Sequence, residues 1–371
     1  MKRITHGLVT TLLLSSVVNA ATDLDSSLSQ DHTFEKKIEK VQGIEIVDGW
    51  EFSGDIRTGW VQYDYKNKPL GINSSGDIEA LYPTRNRGHT DSKGIYTMPK
   101  LSISSPKNSR IIAKVTVSGA TDFGINDEKY ESRTFVFDPN ERKSYMIFQE
   151  VYLKYVDKEN QALIGREELT TPMIDADDWY MLANSFELAY YINSSLENTD
   201  ITAGYFKSMS GVWDSGANGT EYNSMSQASF IDSSDKAVIG DTGVYFAALN
   251  YDDSMHHNLQ VWDYYGEDMY NTLFVQYDYT NSVGSFNYDL GLQYMNFKEV
   301  GYLATDRAST NIDYSLYSAR FDGDFSNGIN FATAYAKYTD GEGQDATLGA
   351  FGGYPYFANS MIFHFFEAGS L

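Results

Sequence analysis

Lys154 and Arg166 precede three aspartates, Asp175, Asp177 and Asp178, which run into Trp179 and Tyr180, and Glu150 stands four residues before Lys154. With no nucleophile among them, these groups do not make or break bonds. Set on opposite sides of a narrow aqueous gap, they orient a dipolar solute and select ions by charge, as charged rings do in pores. The chemistry implied is sorting, with Glu150, Lys154 and Arg166 on a wall and Asp175, Asp177, Asp178 and Tyr180 on a loop opposite. The competing arrangement is a solvent-facing loop whose carboxylates are hydrated or hold calcium.

Catalysis and metal binding find little support. A hydrolase needs a nucleophile, a base and an orienting group within hydrogen-bond range. None of the six histidines stands beside a recognisable serine motif, so no enzyme and no cofactor is expected. His256 and His257 are adjacent, and neighbouring side chains of a strand point to opposite faces. They cannot readily hold one ion together, and a turn or strand start is expected there. Asp232, Asp235 and Asp241 lie in a serine-rich stretch that could bridge calcium, but their spacing matches no motif.

What must position these groups is a large sheet. From Trp50 onward the apolar pattern has a period of two, and about fourteen segments alternate between turn-forming clusters. In Phe286 to Asn296, residues Phe286, Tyr288, Leu290, Leu292 and Tyr294 share one face, opposite Asn287, Asp289, Gly291 and Gln293. Leu273, Val275, Tyr277 and Tyr279 oppose Thr272, Phe274, Gln276 and Asp278 in the same way. Val151, Leu153 and Tyr155 oppose Glu150, Tyr152 and Lys154. Segments near ten residues, with aromatics at their ends, suit tilted membrane-spanning strands flanked by aromatic girdles. Arg166 shares a parity with Ile164, and guanidinium in mid-bilayer costs ~2–4 kcal/mol, so it should face a lumen or lie near a rim. Tyr245 to Tyr251, Ile312 to Phe321 and Gly328 to Tyr338 are apolar on both parities, as expected of aromatic-rich inner walls or strands covered by a loop folded inward.

Connections alternate in size. Asp157 to Asn160 and Thr280 to Val283 read as short turns, whereas Lys66 to Gly94, Glu168 to Asn184, Gly211 to Thr242 and Asp340 to Phe357 read as long loops. Short turns at one end and long loops at the other mark bacterial transmembrane barrels. The fold class expected is therefore all-β, a transmembrane antiparallel β-barrel.

Residues 1–20 have the form of a secretory signal peptide, with Lys2 and Arg3 before an apolar run and a small-residue site at Ala20. Residues 21–48 read as a periplasmic lead-in with a helix-compatible piece around Phe34 to Val47, and 49–371 as the barrel. The chain has no cysteine, so the sheet must supply the stability a disulfide framework would otherwise add. Losing Lys2 and Arg3 leaves 26 basic against 51 acidic residues, a net charge of −25. That balance excludes nucleic acid as a partner and predicts a cation-attracting mouth or lumen.

The stretch Gly165-Arg166-Glu167-Glu168-Leu169-Thr170-Thr171-Pro172, continued through Asp178 and Trp179-Tyr180-Met181-Leu182-Ala183-Asn184-Ser185-Phe186-Glu187, resembles the signature of the OprD-type substrate-specific outer-membrane porins. Gly165, Arg166, Thr171, Pro172, Asp178, Met181, Asn184, Phe186 and Glu187 fit. Glu167, Tyr180, Ala183 and Leu188 depart, standing where the family has Gln, Arg, Pro and Gly. The resemblance covers roughly residues 145–210. It implies a barrel of about 18 strands, often trimeric, in the outer membrane of a Gram-negative bacterium. Small polar or charged solutes would diffuse passively through a lumen narrowed by an inward-folded loop and lined by a ladder of basic residues. The chain ends Phe366-Glu367-Ala368-Gly369-Ser370-Leu371 without the terminal aromatic usual in such barrels, and with fourteen strands this predicts missing C-terminal strands. An adhesin or structural barrel acting through its long extracellular loops would share the strand-level features.

Overall fold

The computed structural model describes residues 44–47, 49–63, 70–72, 78–80, 92–126, 143–176, 178, 181–211, 221–229, 240–306, 313–339, 351, 353 and 357. The expected signal peptide, Asp177, Trp179, Tyr180, Asp232, Asp235 and the chain from 358 onward lie outside these residues.

The elements run β1 (Ile44–Val47), β2 (Trp50–Tyr63), β3 (Leu70–Ile72), β4 (Ile78–Ala80), β5 (Ser92–Ser104), β6 (Ile111–Ala120), β7 (Tyr145–Val156), β8 (Asn160–Glu167), β9 (Ser185–Leu196), β10 (Thr199–Ser210), β11 (Asn223–Ser224), α1 (Met225–Ser229), β12 (Val244–Asp252), β13 (His257–Gly266), β14 (Tyr270–Val283), β15 (Phe286–Glu299), α2 (Tyr302–Asp306), β16 (Asp313–Phe325) and β17 (Ile329–Tyr338). Fourteen strands form one path in chain order, β1-β2-β5-β6-β7-β8-β9-β10-β12-β13-β14-β15-β16-β17, with β11 beside β10 and β3–β4 a separate hairpin. All these pairs are antiparallel. Residues 44–47, read from sequence as the end of a helix-compatible piece, are strand instead. The β-branched Ile44, Ile46 and Val47 favour extended backbone, and β2 supplies the partner.

Burial along the strands is inverted relative to a water-soluble sheet. Thr116 and Glu150 are 0% and 3% exposed, and Gln276 and Gln293 are buried with them, whereas Ile56, Ile164 and Leu153 are 71%, 66% and 56% exposed. Leaving a large aliphatic side chain in water forfeits roughly 1.5–3 kcal/mol of burial. A surface with this many such side chains is built for an apolar solvent. The three alternations expected from sequence hold: Val151, Leu153 and Tyr155 point outward, with Glu150, Tyr152 and Lys154 inward. The segments that alternated poorly have an apolar inner side too. Phe246 of β12 and Tyr314 and Leu316 of β16 belong to a buried cluster with Trp262, Phe274 and Phe297.

One alternation slips. Thr116 pairs with Glu150 but Val117 pairs with Phe148, leaving Gln149 as a bulge. Gln149 and Glu150 therefore both face inward, while Met146 and Phe148 before them and Val151 after them face out. Two adjacent polar residues between two outward apolar runs are the sequence trace of this bulge.

Short connections gather at one end of the sheet: 105–110, 157–159, 197–198, 253–256, 284–285 and 326–328. The turn expected at Thr280 to Val283 is displaced. Those residues extend β14, and Gly284 with φ +65° takes the corner. The other end carries the long connections, apart from the three residues 267–269. In the turn after β7, the Asp157 carboxylate accepts the amides of Glu159 and Asn160 and the Tyr155 hydroxyl. These bonds hold its pKa down to about 2. Because the folded value is lowered, the turn's contribution is present above the ordinary carboxylate range and is lost as pH falls towards 2. Amide exchange at Glu159 and Asn160 should therefore accelerate, beyond its intrinsic pH dependence, between about pH 4 and pH 2. Protection unchanged across that window would remove Asp157 from this role.

Candidate functional site

Charged side chains are concentrated on the inner faces of β2, β5, β6 and β7. Alternation sends Arg57 inward with Gly59 and Val61, opposite the exposed Ile56 and Trp60. It likewise sends Lys100 inward with Ser102, and Lys114 with Thr116. On β7 the bulge and the alternation after it place Glu150 and Lys154 on the same surface. Each cation has a partner. Lys114 Nζ lies 2.5 Å from Glu150 Oε2, which also accepts the Thr116 hydroxyl at 2.7 Å. Lys154 is buried, with its ammonium 5.8 Å from the centre of the Tyr190 ring. The Tyr190 hydroxyl in turn donates to Glu167 at 3.1 Å.

The connection after β8 brings carboxylates to these cations. Glu168 accepts a bond from Lys100 Nζ at 2.6 Å. Its pKa is raised, first by burial and then by the neighbouring Glu150, with Lys100 and Lys114 opposing. Asp178 pairs with Arg57 Nη1 at 2.5 Å, and Arg57 Nη2 donates to the Met181 carbonyl at 2.6 Å. Thr171 accepts the Tyr264 hydroxyl of β13 at 2.9 Å. The end of the connection is held by the bulge, where Gln149 Nε2 donates to the Ala183 carbonyl at 2.9 Å and the Ser185 hydroxyl donates to the Gln149 carbonyl. Leu169, Met173, Ile174, Leu182 and Ala183 are buried.

Asp175 lies further along the same connection. It accepts the Thr170 hydroxyl at 2.7 Å, and its amide donates to Phe351 at 2.9 Å. Phe351 bridges Ile174 in parallel and is buried in the inner cluster. Further along the same stretch, the Phe357 ring lies 4.8 Å from the Arg320 guanidinium. Arg320 is itself held by Asp322 at 2.9 Å and Asp278 at 3.3 Å.

Arg166 is not on this inner surface. Its register partners are Val151 and Glu187, and Ile164 beside it points outward. The guanidinium packs 4.0 Å from the Tyr222 ring and 3.8 Å from Glu187. Of the two positions open to Arg166, the strand end at the long-connection side is the one taken. Of the expected residues, Glu150 and Lys154 share the inner wall and Asp178 meets it through Arg57. Arg57, Lys100 and Lys114 were missed in the sequence, although their parity opposite Ile56, Leu101 and Val115 is readable there.

His256 occupies a turn and His257 begins β13. Their Nδ1 atoms meet the Thr280 carbonyl at 2.8 Å and the Tyr277 hydroxyl at 2.7 Å. Among the described residues no group of three or more His, Cys, Asp or Glu is arranged to hold a metal.

No protein-family model matches the sequence, and no curated protein does. Solved structures do match in shape. Pseudomonas aeruginosa OccK8 (OprE) superposes with a TM-score of 0.60 at 14% identity, over 84% of this chain and 74% of that one. A BenF-like porin from Pseudomonas fluorescens Pf-5 gives 0.57 at 15% identity, over 79% and 69%. Pseudomonas aeruginosa OccK2 (OpdF) in complex with glucuronate gives 0.50 at 14%, over 68% and 61%. At such identities the likeness is one of fold, and it agrees with the Gly165 to Glu187 resemblance: the chain is a transmembrane β-barrel of the OprD-type porin architecture.

Proposed function

We propose that the chain is an outer-membrane porin in which small polar and charged solutes diffuse passively past a constriction made by residues 168–184. The observation that carries this reading is the pairing of Lys100 with Glu168 and of Arg57 with Asp178, wall against connection. Geometry supports an inward course for that connection. Thr171 bonds to β13 and Asp178 to β2, nine strands apart when both are counted. In a flat sheet those strands would lie about 38 Å apart. Residues 171 and 178 can span at most about 25 Å of backbone when extended, and a turn bond from Ile174 to Thr171 shortens the stretch further. A sheet that curls around the connection brings both strands within its reach, which supports the inward course.

Cations on four neighbouring strands (Arg57, Lys100, Lys114 and Lys154) form a row along which an anionic or carboxylate-bearing group could step between partners. Carboxylates on the same surface (Asp55, Glu150, Glu167, Glu168, Asp178, Asp278, Asp289, Glu299 and Asp322) outnumber the cations even with Arg320 included. The lumen is thus mixed in sign, suited to dipolar solutes and weakly biased towards cations, in keeping with the net charge of −23 of the whole chain. In planar bilayers the folded full-length protein should form ohmic channels, with a reversal potential in a salt gradient on the cation-permeable side. Absence of channels would reject the porin reading and favour a barrel that acts through its loops. An anion-side reversal would reject the charge bias.

A further inference from the structure

The outward face of β8–β10 carries a charge cluster that solute passage does not use. Arg166 and Lys207 flank one carboxylate, Glu187, at 3.8 Å and 2.9 Å. Lys207 is 64% exposed and has no register partner on β9: Phe206 pairs with Leu188 and Ser208 with Glu187, so a bulge aims the ammonium outward. Arg166 is fixed against the Tyr222 ring. Two cations sharing one anion leave an excess positive charge on a face otherwise built for hydrocarbon, where a charge is tolerated only near the interface.

An independent feature sets the level. Two residues below Lys207 on the same strand, Tyr205 packs on the outward Tyr245 with ring centres 4.7 Å apart. Paired tyrosines on a lipid-facing wall mark the boundary between hydrocarbon and headgroups. The excess cation therefore stands just beyond that boundary, where the anions at hand are lipid phosphates.

From this the geometry points to a lipid-phosphate site, in which Lys207 and Arg166 seat the headgroup of an anionic lipid in the leaflet on the long-loop side. The site rests on the outer-membrane reading above but not on the course of residues 168–184. Its probe is dihexanoyl phosphatidic acid, titrated against the full chain in detergent micelles and read by native mass spectrometry. One lipid should bind per barrel, Lys207→Gln should weaken binding about tenfold, and Lys207→Arg should restore it. Equal binding by Lys207→Gln overturns the site, as does displacement of the lipid by inorganic phosphate at equal concentration. Conductance of Lys207→Gln should match the parent protein, because the residue faces away from the lumen. Channels missing from both proteins would reject the porin reading and leave the lipid result standing.

Discussion

Gly165→Val should prevent the barrel from reaching its folded, heat-resistant state. Gly165 sits at φ +137°, a conformation strained for any side chain and worst for a β-branched one. A Cβ there would also run into the Val151 carbonyl oxygen and lie 2.7 Å from Tyr152 Cα. Both obstacles are backbone, which cannot swing aside as a flexible side chain can. Combined strain and overlap should cost at least ~3–5 kcal/mol, a large share of a typical folding free energy. The loss falls at the root of the 168–184 connection, where β8 passes between β7 and β9. Electrophoresis with and without heating should show only the unfolded band, and the urea midpoint of any folded fraction should drop sharply. A Gly165→Val protein with the parent's midpoint would show that β8 does not hold this register.

Arg57→Ala should have the largest effect on passage. The side chain ties Asp178 and the Met181 carbonyl to β2 with bonds of 2.5 and 2.6 Å. Its removal leaves the part-buried Met181 carbonyl without its charged donor, a change of about 1–3 kcal/mol, and releases the more exposed Asp178 carboxylate, whose pairing is worth about 0–1 kcal/mol. That is enough to loosen the far end of the connection without unfolding the barrel, since Tyr264 still holds Thr171 and Gln149 still holds Ala183. Single-channel conductance should rise severalfold and become noisier, and Asp178→Ala should reproduce much of the change. Conductance unaltered in both would put residues 168–184 outside the path of the solute.

How much of this was legible beforehand depended on whether a signal was local. Alternation is local, so the faces of β7, β14 and β15 were readable from Val151, Leu273 and Phe286 onward, and the strand number followed. The split between short and long connections was readable as well, although β14 runs on through Val283 because the β-branched Thr280 and Val283 are also good strand residues. Partners distant in the chain were not readable. Nothing near Asp178 says that its cation is Arg57, 121 residues earlier, and the nearer Arg166 was the obvious candidate until register placed it outside. The packing of Phe351 on Ile174 was hidden for the same reason, since a chain segment without periodicity gives no clue to what it lies against.

The bulge at Gln149 gives β7 a property that reaches beyond its hydrogen bonds. The strand is written in two phases, with residues before 149 keeping one parity outward and residues after 150 keeping the other. Gln149 works as the spacer between them. Were the ladder to run through Gln149 without the bulge, strict alternation back from Glu150 would bring Met146 and Phe148 round to the aqueous side and turn Ile147 and Gln149 towards lipid. The fault would be one of timing, with every side chain upstream chemically intact but delivered to the wrong solvent. A single amide residue thus sets which half of the strand's sequence is read as wall and which as membrane.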